Sequence, residues 1–425
     1  MSKAKLAIHG GKPVIDRDKT GKWPIITSED IASVTHVLRS GIIGGINAPE
    51  AVALRKEWAS YTGAAHCLTL NSGTAALHIA VAAAGVGPGD EVITSAYSFS
   101  ASALAVLHHN AIPIFVDIDH STPNINPKKI EKKISPRTKA IIPVHMEGLP
   151  CDMDEINAIA RKHKLVVIED ACQAHGALYK GRKAGSLGDM AAFSLNFTKN
   201  LTGGEGGLFT TNRDKYLKNA GKVASFGEVI KNNAPRAYRS SCLGWMYRPC
   251  EITMALARSQ LKRLDEYNYA RQKNCEYLSR ELAEIKGVIP PIVPADRTHV
   301  YHIYRIRLDP KAMGIDMDSR NFRMSVQKAL NAEGVFAHEY QSIPLPGHEI
   351  YQLKEGYGHG CPWSCPHSRK TEYRSEDYAE VLNMIDNSFV LVSEIAPPNG
   401  KELMGKIVEA FRKVFENIAE VLENK

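Results

Sequence analysis

Between about residues 50 and 265, apolar strand-like runs alternate with helix-like segments that are joined by short turns. The runs IPIFVDID, KAIIPVH, KLVVIED and FSLNF are largely continuous in apolar residues, which is typical of strands buried on both faces of a sheet. Helices between such strands return the chain over the sheet and make neighbouring strands parallel. The pattern therefore predicts an α/β fold with a mostly parallel central sheet. We expect no barrel, because the alternation stops after residue 212.

The remainder of the chain has a different character. A long charged helix is predicted over residues 253–285, followed by the strand HVYHIYRIRL and, at the end of the chain, an amphipathic helix with apolar residues at helical spacing. We therefore expect a large α/β domain over residues 41–268 and a smaller C-terminal α+β domain over residues 269–425. Residues 1–40 are expected to form an N-terminal segment that packs with the small domain.

Charge and hydropathy exclude several classes of partner. The 53 basic and 46 acidic residues give a formal charge of +7 that is spread along the chain, so no nucleic-acid partner is expected. No segment reaches the ~18 consecutive apolar residues that cross a bilayer, and the N-terminus lacks the apolar core of a signal peptide. We therefore expect a cytoplasmic protein with no membrane partner.

The eight cysteines show no disulfide framework for a chain of 425 residues. Only the stretch HGCPWSCPH, residues 359–367, holds Cys and His closely enough to suggest a metal site. Its C-x3-C spacing is unusual for a zinc site, and its two prolines favour a stiff loop. No metal is therefore predicted.

Lys199 follows the apolar run AAFSLNF, which is predicted to be a buried strand. Desolvation of an ammonium group lowers its pKa, so a lysine in such surroundings is either neutralised or used covalently. Lys199 is therefore a candidate amine nucleophile.

Other polar residues follow predicted strands at the sheet edge where open α/β folds bind their ligands. In LNSGTAALHIAVAAAG, small and hydroxylated residues open an alanine-rich helix, which suits a phosphate but also a simple N-cap. In VVIEDACQAHG a buried strand ends in Glu169 and Asp170, and such a carboxylate either caps a helix or pairs with a cation such as a protonated ring nitrogen. Tyr97 and Phe99 follow another strand and either stack on a planar ring or pack in the core.

Three of these features together predict a cofactor. A lysine that can bond covalently to an aldehyde, an anion-binding helix start and a carboxylate that keeps a pyridine nitrogen protonated are what pyridoxal phosphate requires. The helix start lacks a Walker lysine and a G-x-G-x-x-G motif, so a nucleoside triphosphate or a dinucleotide is disfavoured.

The motifs SGIIGG, NSGTAAL, FVDID, VHMEGLPCDMDEI, EDACQAHGA and FSLNFTKNLTGGEGG occur in this order. The chain thereby resembles the DegT/DnrJ/EryC1/StrS sugar aminotransferases from near residue 40 to about residue 350. The resemblance implies a fold type I pyridoxal phosphate-dependent transferase, similar to aspartate aminotransferase. It also implies Lys199 as the catalytic lysine joined to the cofactor, Asp170 as the partner of the pyridinium nitrogen, and Gln173 beside the ring hydroxyl. Phosphate ligands and the stacking ring are implied to be Gly73, Thr74, Ser194 and Phe99.

The activity implied by the resemblance is transfer of an amino group from glutamate or glutamine to a ketone on a sugar, nucleotide-sugar or cyclitol, by a homodimer. One alternative is a sugar dehydratase of the same fold, although such relatives tend to carry histidine in place of Lys199. Another is a non-catalytic regulatory homologue, which has no physical reason to retain both Lys199 and Asp170.

Three positions depart from the pattern of the family. Met246 replaces an asparagine that in the family reaches the phosphate of the neighbouring subunit, and nearby Arg248 could face a phosphate, a partner chain or solvent. Glu147 replaces an aromatic residue, and Pro346 replaces a histidine. The last two segments line the substrate side in the family, so the resemblance implies an unusual acceptor.

Overall fold

The computed structural model describes residues 5–45, 47–230 and 235–423. The outer ends of the predicted N-terminal segment and small domain, residues 1–4 and 424–425, lie outside this range. The strands are β1 (His66–Leu70), β2 (Glu91–Ser95), β3 (Ile112–Val116), β4 (Thr138–Ile142), β5 (Val166–Asp170), β6 (Leu178–Tyr179), β7 (Arg182–Lys183), β8 (Met190–Ser194), β9 (Gly207–Thr211), β10 (Val288–Ile289), β11 (Tyr304–Leu308) and β12 (Ser388–Leu391).

The α-helices are α1 (Ser28–Ser40), α2 (Pro49–Thr62), α3 (Gly73–Ala83), α4 (Ala101–Leu107), α5 (Pro127–Ile130), α6 (Met153–His163), α7 (Asp214–Val223), α8 (Glu251–Leu261), α9 (Leu264–Leu282), α10 (Ser319–Ala332), α11 (Glu349–Leu353), α12 (Ala379–Asn387), α13 (Lys401–Glu416) and α14 (Ile418–Glu423). Among the described residues, no helix is both long and apolar enough to cross a membrane.

The central sheet has seven strands in the order β1-β9-β8-β5-β4-β2-β3 within the described chain. The strands from β8 to β3 pair in parallel, whereas β9 is antiparallel to both β1 and β8. Helices connect β2 to β3, β3 to β4 and β4 to β5, whereas the short hairpin of β6 and β7 lies between β5 and β8. The predicted α/β class with a mostly parallel central sheet is confirmed.

Both faces of this sheet are buried. Val92 packs in a cluster with α3, whereas the next residue, Ile93, packs in a cluster with α6 on the other face. The same alternation holds for Ile168 and Val167 on β5. Because the covered faces fix the strands, the polar residues at their carboxyl ends are held on a rigid frame.

A second, antiparallel sheet in the order β10-β11-β12 lies against α9, α10 and α13 in a core of its own. Leu6 and Ile15 belong to this core, and buried Glu333 accepts hydrogen bonds from the N–H groups of Ala7 and Val14 at 2.8 and 3.3 Å. Helix α1 instead packs on α8, within the range predicted for the large domain. The domain limits stay a prediction, and the one at residues 268–269 falls inside α9.

Two predicted elements are shorter in the structure. The helix predicted over residues 253–285 is interrupted at Arg263, which has φ −113° and ψ 2°, so α8 and α9 are separate helices. The Arg263 guanidinium donates to Asp30 of α1 at 2.7 Å, a long-range contact that the local sequence does not reveal. In HVYHIYRIRL only residues 304–308 form a strand, because Tyr301 adopts a left-handed φ of 46°.

Candidate active site

A cavity of about 510 Å³ opens at the carboxyl ends of β5 and β8. All seven residues named as candidates from the sequence line it: Gly73, Thr74, Phe99, Asp170, Gln173, Ser194 and Lys199. They come from four separate stretches of the chain. The fold therefore assembles in one place what the motifs suggested separately.

The first turn of α3 forms one wall of this cavity. Ser72 is the N-cap, and its side chain accepts a hydrogen bond from the Ala75 N–H at 3.0 Å. A Cβ added to Gly73 would lie 2.8 Å from the Cβ of Ser194 and 3.1 Å from the Sγ of Cys172, so only glycine fits between helix and sheet. Ser72, Gly73 and Thr74 line the cavity, so the positive end of the helix dipole and the first N–H groups of α3 lie at its wall, where a phosphate can bind.

Asp170 lies at the carboxyl end of β5 and is 5% exposed. Its Oδ2 accepts a hydrogen bond from the Ser102 hydroxyl at 2.6 Å, and its Oδ1 accepts one from the Cys172 N–H at 3.2 Å. These donors orient the carboxylate. A buried carboxylate of this kind is suited to a cationic ring nitrogen.

Lys199 lies in the loop after β8. Burial lowers the pKa of its ammonium group, although Cys172 and Asp170 partly offset the effect. Its Nζ is 3.1 Å from the Nε2 of His302. Burial, and then Lys199 itself, hold the pKa of His302 well below its usual value, so the imidazole is neutral and can accept a hydrogen bond from the amine. A larger share of Lys199 is therefore the nucleophilic free amine than in an exposed lysine.

Two side chains differ in how they face the cavity. Phe99 is 59% exposed at the rim, where its ring is available for stacking. Gln173 is buried, and its Nε2 donates to the Tyr340 hydroxyl at 3.1 Å. Tyr97, the other aromatic residue considered from the sequence, is buried and packs beside Arg305 rather than lining the cavity.

Sequence reasoning missed several residues of the site, notably His302, Ser102 and Tyr340. They belong to segments that are distant in sequence from Lys199 and Asp170. The two histidines in HVYHIYRIRL are a signal for His302, but the pattern of that stretch predicts only a strand.

The three departures from the family pattern lie outside the cavity wall. Glu147 and Pro346 are both buried, and neither lines the cavity. Met246 is 47% exposed, and Arg248 lies over the Phe226 ring at 5.7 Å, beside a separate cavity. In the loop of residues 359–367, Cys361 contacts Asn110, and the described residues contain no group of three or more metal-ligating side chains.

The donor set fits pyridoxal phosphate: a helix start with room for a phosphate, an oriented carboxylate and a lysine with a lowered pKa share one cavity.

The model of the DegT/DnrJ/EryC1/StrS aminotransferase family matches residues 24–374. The spore coat polysaccharide biosynthesis protein SpsC of Bacillus subtilis is 39% identical over 79% of this chain and 85% of its own. The L-glutamine:2-deoxy-scyllo-inosose aminotransferase of Streptoalloteichus tenebrarius is 35% identical over 81% of this chain and 83% of its own.

Solved structures are similar over nearly the whole chain. DesV of S. venezuelae superposes with a TM-score of 0.80 at 28% identity, covering 92% of this chain and 95% of its own. An aminotransferase from Psychrobacter cryohalolentis gives a TM-score of 0.79 at 28% identity, covering 94% of this chain and 100% of its own. The fold type I assignment is confirmed. The chain belongs to the DegT/DnrJ/EryC1/StrS aminotransferase family and is a pyridoxal phosphate-dependent aminotransferase.

Proposed function

We propose that this enzyme moves an amino group from glutamate or glutamine to a ketone on a sugar, nucleotide-sugar or cyclitol. The observation that carries the proposal is the shared cavity of Lys199 and Asp170, with the start of α3 at its wall. The relatives support the substrate classes, since one is named GDP-perosamine synthase and another a glutamine:inosose aminotransferase.

Each polar group has a distinct role in this proposal. The N–H groups at Gly73 and Thr74, with the Ser194 hydroxyl, bind the cofactor phosphate. Asp170 holds a proton on the ring nitrogen, and Phe99 stacks on the ring. Pyridoxal phosphate, when bound, supplies an aldehyde that takes up the amino group and a ring that delocalises the electron pair left by a departing proton.

Lys199 acts as the proton carrier. With the cofactor bound, its Nζ would move a proton from the amino-bearing carbon of the donor to the cofactor carbon in the first half of the reaction, and from the cofactor carbon to the acceptor carbon in the second half. Burial lowers the pKa of this amine, which keeps it competent as a base near neutral pH. His302, 3.1 Å away, orients the amine by accepting a hydrogen bond from it.

A sugar dehydratase of the same fold is the second candidate. The presence of Lys199 where the resemblance implies histidine in such enzymes favours amino transfer. Release of a keto acid from the donor separates the two, because deoxygenation alone produces none.

The proposal includes a homodimer. Apolar side chains are exposed at Ile42 and Ile43 and, on neighbouring segments, at Phe226 and Met246. The first segment forms a β-bridge from Gly44 to Cys250, which lies four residues after Met246, and Ser225 beside Phe226 forms a β-bridge with Met246. Such a surface is suited to burial against a second copy. Light scattering during gel filtration tests this, and a monomeric mass would contradict it.

The central experiment separates the two halves of the reaction. Purified protein loaded with pyridoxal phosphate is mixed with glutamine or glutamate, and the cofactor absorbance and the released keto acid are followed. A panel of keto-sugars and keto-cyclitols is then added, and the amino product is identified by mass spectrometry.

We expect the amino donor to change the absorbance of the cofactor, and one class of acceptor to reverse that change. Lys199→Ala should abolish both changes, whereas Lys218→Ala, a change outside this cavity, should preserve them. Absence of any donor half-reaction with loaded protein would refute the proposal.

A further inference from the structure

A buried ion pair lies directly behind the cavity wall. Glu147 is 2% exposed and Arg305 is 5% exposed. The Nε of Arg305 donates to Glu147 Oε1 at 2.7 Å, and its Nη2 donates to the same oxygen. The remaining donors reach the hydroxyl groups of Ser388, at 2.6 Å, and Tyr97. Desolvation costs several kcal/mol for each buried ion, and the attraction within a pair only about repays that cost, so stability alone does not account for the pair.

The backbone at Glu147 connects this pair to the active site. Glu147 adopts a left-handed conformation, with φ 61° and ψ 2°, in the turn that follows β4. Its N–H donates to the Oε1 of Gln173 at 2.7 Å, and its carbonyl accepts from the Ile303 N–H at 3.3 Å. A non-glycine residue in this conformation is strained and persists only where its surroundings hold it. The hydrogen bonds from Arg305 to the Glu147 carboxylate supply such a restraint.

The turn leaves no room for another arrangement. A Cβ added to Gly148, which has φ 100°, would lie 2.8 Å from Val300 and 3.0 Å from the carbonyl oxygen of Gln173. The Val300 N–H in turn donates to the Gly148 carbonyl at 3.1 Å. The position of the Glu147 N–H relative to Gln173 is therefore set closely.

This N–H decides which way the amide of Gln173 points. Because the amide oxygen accepts from Glu147, the amide nitrogen must face the other way, where it donates to the Tyr340 hydroxyl. The reversed amide would set two N–H donors against each other. Gln173 and Tyr340 both line the cavity, so the fixed orientation presents donors on the cavity side.

We propose that Glu147 and Arg305 are a positioning pair that fixes the Gln173 amide with its nitrogen toward the cofactor. Neither residue touches the cavity, so they act through Gln173. The inference rests on the proposed function in one respect, the placement of Gln173 beside the ring hydroxyl. An oriented amide then donates to the hydroxyl oxygen of the ring.

The test measures how strongly the protein prefers pyridoxal phosphate over its analogue lacking the ring hydroxyl. Affinities of the apoprotein for both are obtained from quenching of tryptophan fluorescence. The E147Q/R305M double variant removes both charges together and avoids a lone buried ion. We expect the preference to fall about fivefold, the size of one hydrogen bond, while Tm stays within roughly 3 °C. A merely structural pair would change Tm and leave the preference intact.

Two further variants complete the design. Gln173→Ala should reduce the preference to the same extent, and the combination with E147Q/R305M should reduce it no further. Glu333→Gln is the matched control, since Glu333 is also buried and paired, with Lys413 at 2.8 Å, but it accepts hydrogen bonds from Ala7 and Val14 and, within the described chain, has no contact with the turn that holds Gln173. Its preference should equal that of the wild type.

A folded E147Q/R305M protein whose preference stays within twofold of wild type would overturn the inference. An unchanged preference in Gln173→Ala would overturn both the inference and the placement of Gln173, while the donor half-reaction would still stand. If the double variant does not fold, Arg305→Lys gives the same readout, because an ammonium keeps the charge without the planar fork.

Discussion

Replacing Gly73 with alanine tests the close contact between α3 and the sheet. The new Cβ would lie 2.8 Å from the Cβ of Ser194 and 3.0 Å from its Cα. The Cα of Ser194 belongs to the backbone of β8, so it cannot move away from the new methyl group by a rotamer change. The first turn of α3 must therefore shift by several tenths of an ångström, and overpacking of this kind costs about 1–3 kcal/mol.

This shift should appear in cofactor binding. The N–H groups of the same turn face the cavity, so displacing them weakens their hydrogen bonds to a phosphate. A loss of about 1.4 kcal/mol lowers affinity about tenfold. We therefore expect Gly73→Ala to raise the Kd of the apoprotein for pyridoxal phosphate about tenfold in a fluorescence titration. Inorganic phosphate should compete less well in the same assay.

Gly221→Ala is the matched control. It lies inside α7, and an added Cβ would meet nothing within 4 Å. Alanine in a helix interior is favoured over glycine, so this variant should keep wild-type affinity and gain about 0.5–1 kcal/mol of stability. If Gly73→Ala bound pyridoxal phosphate within twofold of wild type, the start of α3 would not be the phosphate site.

Three other predictions concern the cofactor and pH. Asp170→Asn should lower the rate of the donor half-reaction by about 10²-fold or more in stopped-flow absorbance, and a rate within threefold of wild type would contradict its role. Phe99→Ala should raise the Kd for pyridoxal phosphate by roughly 2- to 10-fold, whereas Phe197→Ala, 57% exposed but outside the cavity, should leave it unchanged. Burial lowers the pKa of His175 to about 3. Below about pH 6.5 the imidazole therefore binds a proton in the unfolded chain but stays neutral in the folded protein. His175→Phe should therefore reduce the loss of unfolding free energy by about 1.4 kcal/mol per pH unit between pH 6 and pH 4, measured in urea at one protein concentration; an unchanged slope would refute this.

Residues at strand ends could be predicted from the sequence because their positions follow from a local pattern. A continuous apolar run identifies a buried strand, and its last residues must lie at the carboxyl edge of a parallel sheet. Asp170 and Ser194 are of this kind, and Gly73 opens the helix beside them. Their shared location in one cavity follows from topology alone.

Contacts between distant segments could not be predicted in this way. His302 contacts Lys199, 103 residues away, at a point where Tyr301 takes a left-handed conformation before β11. Glu147 was recognised as unusual, but its partner Arg305 is 158 residues away. The unusual acceptor that the resemblance implies stays a prediction, and the Glu147 carboxylate itself faces Arg305 inside the protein.

The N-terminal segment contacts the loop that carries Lys199. The indole Nε1 of Trp23 donates to the backbone carbonyl of Lys199 at 3.3 Å, and the Arg271 guanidinium lies 4.6 Å from the Trp23 ring. The match to the family begins one residue later, at position 24. Shortening the protein to the matched region would therefore remove the hydrogen bond that holds the Lys199 loop, so the segment outside the family match belongs in any expressed form of the enzyme.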